Sequence, residues 1–121
     1  SFDRYSRQDL IEIADSMLAT FLKKSDNTKQ NKRLFHKILK DVSELPYPGD
    51  LMQIIKTSVA FADTDNEFDY LRKLYLTLND NPSDIDIQEL QKKGYTTREI
   101  EILTNIPKSS VSRKLKGQLD E

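Results

Sequence analysis

With 121 residues, 36% apolar and 32% charged, the chain has material for one modest core or two small helical units, and no apolar run nears the roughly 18 residues of a membrane span. Zero cysteines exclude disulfide stapling and thiolate metal sites and fit a cytoplasmic setting, while three glycines and four prolines are too few turn residues for an all-β chain. The net charge of −1 hides three blocks: +6 over 23–40, −6 over 63–90 and +5 over 91–117.

Apolar spacing is helical nearly throughout. A first helix is expected over about residues 8–23, with Leu10, Ile13, Ala14, Met17, Leu18 and Phe21 on one stripe. The polar run 23–29 breaks it, with Asp26 or Asn27 as the next N-cap. A second helix, about 28–45, carries Leu34, Phe35, Ile38, Val42 and Leu45 on one side and its bases on the other. "LPYPGD", 45–50, ends it, since each proline disfavours helix in the residue before, and Asp50 is expected to cap the third helix. That helix, about 51–62, is the most apolar and is expected to be the most buried. Thr64 and Glu67 have capping-box spacing and open a fourth helix that stops near Asn79. A fifth runs from Ser83 to Lys93 and ends at Gly94 in the left-handed C-cap role. A start at Ser1 without methionine fits a segment of a longer protein.

The stretch "GYTTREIEILTNIPKSSVSRKLK", 94–116, carries the most information. Thr96 and Glu99 form a second capping box, opening a helix to about Thr104. Asn105 tolerates the left-handed backbone of a sharp turn, Ile106 plugs that turn, and Pro107 suits a first helical position. In the last helix, 107–119, Val111 and Leu115 face inward toward Ile100, Leu103 and Ile106. Lys108, Ser109, Ser112, Arg113 and Lys116 then form an outward stripe of bases and hydroxyls without a carboxylate. Such a stripe suits the major groove, where serine approaches base edges closely and arginine grips guanine with two hydrogen bonds. Thr96, Thr97, Arg98, Ser110 and Lys114 are the expected phosphate contacts, the two threonines through hydroxyls and helix-start amides.

This segment resembles the helix-turn-helix of serine resolvases and invertases, and is similar to that of IclR-type regulators and of sigma factor region 4. The matching positions are Gly94, Thr96, Glu99, Ile100, Thr104, Ile106, Pro107, Lys108, Ser109, Val111, Ser112, Arg113 and Leu115, within about 27 of the 121 residues. Two positions depart from the pattern: the small residue after Glu-Ile is Glu101, and the turn glycine is Asn105. A glutamate at that close contact must bend outward or pair with a base such as Arg98. The resolvase catalytic domain has no counterpart here.

Other features carry less. Lys29, Lys32, Arg33, Lys37 and Lys40 form either a second phosphate-contacting surface or the solvated face of an amphipathic helix. A lone His36 makes no metal site or acid–base pair by itself, and the acids at 63, 65, 67 and 69 lack the glycine and closing glutamate of a calcium loop. The expectation is an all-α fold of six to seven helices, with an N-terminal helical bundle over 1–79 offering a dimer or partner surface. A helix-turn-helix occupies 80–121. The expected function is sequence-specific binding of double-stranded DNA by a homodimer, in transcriptional regulation of bacterial, phage or plasmid type. No cofactor, metal, membrane or enzymatic role is expected. The rivals are a replication, partition or recombination accessory protein and a helix-turn-helix that docks polypeptide.

Overall fold

The structure is a computed structural model that describes residues 5–22 and 29–119, apart from the side chains of 30 and 117–119. The expected cap at Asp26 or Asn27 lies outside the described residues. Within them the chain is all-α, with seven helices and no strand. None of these helices is long and apolar enough to cross a membrane. The chain divides into two compact units, Ser1–Asn81 and Pro82–Glu121.

In the first unit, α1 (Arg7–Phe21) opens on a capping box in which the Ser6 hydroxyl accepts the Asp9 amide and Asp9 returns the bond to the Ser6 amide, both at 3.1 Å. Its buried line is Ile11, Ala14 and Leu18, so the core stripe is centred on Ile11 and not on Ile13, which is half-buried. α2 (Lys29–Asp41) buries Leu34, Phe35, Ile38 and Leu39, and Val42 lies just beyond its end. Removing a ring as enclosed as that of Phe35 costs about 3–5 kcal/mol in comparable cores.

α3 (Pro48–Ala60) begins earlier than expected. Pro48 takes the first helical position, where its fixed φ fits and its missing N–H is no loss, so Asp50 lies inside the first turn instead of capping it. Nor is α3 the most buried helix: Leu51 and Ile55 are enclosed, but Met52 is exposed and Phe61, just beyond the end, is 73% exposed. Apolar content misled because α3 packs through one stripe, against α1 and α4, while α2 touches α1 and α4.

The Thr64–Glu67 box does not form. Residues 63–68 fold as turns because short polar side chains bond their own backbone: Asp63 Oδ1 accepts the Asp65 amide at 2.9 Å, and Asn66 Oδ1 the Phe68 amide at 3.0 Å. α4 (Asp69–Leu78) therefore starts later, at a carboxylate only 1% exposed. Asp69 accepts the Asp63 amide at 2.8 Å and pairs with Arg72 at 3.0 Å and Lys73 at 3.3 Å. Burial pushes this carboxyl up, but the amide and the two cations outweigh it, so it stays below the ordinary value. At the far end Asp80 sits at φ 61° and the Asn81 amide donates to the Leu76 carbonyl at 2.6 Å, closing the helix without glycine.

The second unit packs α5 (Ile87–Lys92), α6 (Thr97–Thr104) and α7 (Lys108–Leu119) against one another around Leu90, Tyr95, Ile100, Leu103, Val111 and Leu115. α5 starts later than Ser83 because Asp86 caps it, accepting the Gln88 and Glu89 amides. Gly94, at φ 98°, ends the turn after it: the Tyr95 amide reaches back to the Leu90 carbonyl at 3.1 Å, which brings the Tyr95 ring into the core.

Candidate nucleic-acid interface

The geometry of α6 and α7 arises from three local devices. Thr96 accepts the Glu99 amide at 3.1 Å while Glu99, itself 3% exposed, accepts the Thr96 amide at 2.8 Å. Asn105 takes the left-handed conformation at φ 62° and turns the chain. Thr104 ties the turn together: its hydroxyl donates to the Ile100 carbonyl at 2.7 Å and accepts the Ile106 amide at 3.2 Å. The Pro107 carbonyl accepts the Val111 amide at 3.0 Å, so Pro107 precedes α7 as its cap and is not the first helical residue.

On α7, Val111 and Leu115 are buried; Lys108, Ser109, Arg113 and Lys116 are exposed and Ser112 is half-buried. These five lie on one side of the helix. Ser110 (half-buried) and Lys114 (exposed) lie about half a turn away from Ser112, on the other flank. The structure thus separates the expected base-reading set from two of the expected phosphate contacts. In the preceding helix Thr97 is half-buried and Arg98 exposed. Thr96 does not offer a free amide, since Glu99 takes it.

Glu101 changes the electrostatics of this surface. Its carboxylate pairs with Arg98 and, through the other oxygen, accepts the backbone amide of Lys108 at 2.9 Å. Those two bonds, with Arg98 the stronger, hold the carboxyl below its ordinary value. The stripe on α7 contains no carboxylate of its own, yet a half-exposed one abuts its first residue. The chain matches no protein-family model, no curated protein and no solved structure.

On the first unit, Lys29, Lys32, Arg33 and Lys40 are exposed along α2, and Lys37 is half-buried at the edge of that face. His36 Nε2 lies 2.8 Å from both oxygens of Asp15, tying α2 to α1. Sequence reasoning did not foresee this pair, the Glu101–Lys108 cap or the Thr104 bridge. The one signal in the sequence for the cap was the departure from a small residue at position 101.

Proposed function

We propose that the chain is a sequence-specific double-stranded DNA-binding protein that lays α7 in the major groove. The carrying observation is that α7 buries Val111 and Leu115 while exposing Lys108, Ser109, Arg113 and Lys116, with half-buried Ser112 on the same side. Arg113 is the guanine reader, Ser109 and Ser112 approach base edges, and Lys108 and Lys116 flank them. Thr97, Arg98 and Lys114 contact phosphates, and Thr96 and Ser110 do so through their hydroxyls. The biological role is transcriptional regulation of bacterial, phage or plasmid type, in the cytoplasm and without enzymatic activity.

One such module binds weakly, so the working form is a homodimer on a two-fold site. Exposed Tyr47, Met52 and Phe61, at and beside α3, support a subunit or partner surface on the first unit. Selection of bound sequences from random duplexes, followed by gel shifts, tests the reading. A selected site whose preference is lost in Arg113→Ala supports it. Absence of duplex binding even at low salt overturns it and leaves α7 as a polypeptide-docking helix. Sedimentation with and without DNA tests the dimer, because a protein that stays monomeric on its site removes the two-fold argument.

A further inference from the structure

We infer that the exposed face of α2 is a second, sequence-blind surface for the phosphates of duplex DNA; this rests on the DNA-binding reading above. Three observations point to it. First, Lys29, Lys32, Arg33 and Lys40 are exposed on one side of α2, opposite the buried Leu34, Phe35, Ile38 and Leu39. Among the described residues no carboxylate lies in ion-pair distance of these four.

Second, the charges at the start of the helix run against its stability, although Lys40 in the last turn suits the dipole. The first turn of α2 contains no acid and two lysines, Lys29 and Lys32, where the helix dipole disfavours cations; Asp41 stands at the end where it disfavours anions. A merely solvated face has no reason for that order. An external polyanion supplies one for that first turn, because Lys29, Lys32 and the dipole then add at one end.

Third, the face lacks what other partners require. Phe35 is buried, so no aromatic platform is offered to stack unpaired bases, as single-strand binders do. The exposed positions are cationic without apolar neighbours to insert into a membrane. Cationic side chains with neither stacking rings nor apolar wedges match a duplex backbone, whose neutralisation releases counterions. The face of α2 then adds affinity without choosing the sequence, which α7 does.

The test uses the full chain, titrated by fluorescence anisotropy from about 50 to 200 mM salt on the selected duplex and on a scrambled one. Exchanging Lys32→Gln, Arg33→Gln and Lys40→Gln together should weaken both duplexes by the same factor, about tenfold at physiological salt, and reduce the slope of log affinity on log salt by about 2.7. Charge-keeping exchanges (Lys32→Arg, Arg33→Lys, Lys40→Arg) should restore wild-type behaviour, which separates charge from folding. An unchanged slope in the glutamine variant overturns the inference, as does a single-stranded oligonucleotide that displaces the duplex from wild type but not from that variant. Ser112→Ala with Arg113→Ala discriminates the two proposals. It should erase the preference between duplexes yet leave the part that depends on α2. A preference surviving those changes overturns the α7 reading alone.

Discussion

The carboxylate of Glu101 accepts the backbone amide of Lys108 at 2.9 Å, across the turn that joins α6 to α7. The first turn of α7 has no acidic residue and is preceded by proline, so its unpaired amides draw their anion from the helix before it. One side chain thereby fixes where α7 begins relative to α6. Glu101→Ala should cost about 1 kcal/mol, as for loss of an N-cap, and Glu101→Gln less, since the amide oxygen still accepts. The specific readout is hydrogen exchange of the Lys108 amide. Exchange as slow in Glu101→Ala as in wild type shows that the bond contributes nothing.

The same carboxylate makes the second unit sensitive to acid. Its folded pKa lies below the ordinary glutamate value of 4.5, so the stabilisation is complete above that value and is lost as pH falls through the folded one. Asp69 behaves likewise from its ordinary 3.8 downward, in the first unit. Wild type should therefore lose protection at the Lys108 amide as pH is lowered from about 5 to 3, and Glu101→Gln should not show that dependence. Parallel pH profiles in the two proteins refute the assignment.

What the sequence made legible was local. The Thr96–Glu99 box, Gly94 at positive φ and left-handed Asn105 each depend on residues within four positions, and each forms as the residue types require. The pairing of Glu101 with Arg98 was one of two options that its misfit as a small residue left open. The errors came where a nearer or farther group competed. Turns seeded by Asp63 and Asn66 displaced the Thr64–Glu67 box, and one-sided packing left Phe61 in solvent although α3 is the most apolar of the helices. The α7 stripe was legible because Val111 and Leu115 fix which side is inside; the Glu101 cap was not, because seven residues and a turn separate donor from acceptor.

Arg113 and Lys114 are neighbours in sequence with different expected roles. Arg113 stands on the stripe and Lys114 on the other flank, both exposed. Arg113→Ala should cost about 1–3 kcal/mol on the selected site and relax the preference at one base pair. Lys114→Ala should weaken all duplexes alike and lower the salt slope by about 0.9. Competition between the selected site and single-base variants of it distinguishes them. Equal effects on every sequence from both substitutions would remove base reading from Arg113.

Asp69 concentrates three bonds on one buried carboxylate while its cations remain partly solvated, Arg72 at 24% and Lys73 at 31% exposure. Hydrated cations soften the loss when their partner goes, which puts the cost of Asp69→Ala at the lower end, about 2 kcal/mol. Urea unfolding measures it. DNA preference should be unaffected, since α7 takes no part in the cluster.

Arg7 closes the opposite kind of helix end. Its guanidinium donates to the carbonyls of Leu39 and Val42 at 2.8 Å and of Ser43 at 3.0 Å, gathering the unpaired acceptors at the end of α2. The planar fork reaches three carbonyls at once, which the single ammonium of a lysine matches poorly. Arg7→Ala should therefore cost about 2–3 kcal/mol and Arg7→Lys more than half as much. The end of α2 also carries Lys40, so fraying there should lower the salt slope of DNA binding slightly in Arg7→Ala while the preferred sequence stays the same. Urea midpoints and salt titrations on the same preparations check both halves. A loss of stability with an unaltered slope would show that Lys40 does not depend on Arg7, and no loss at all would show that water satisfies these carbonyls equally well.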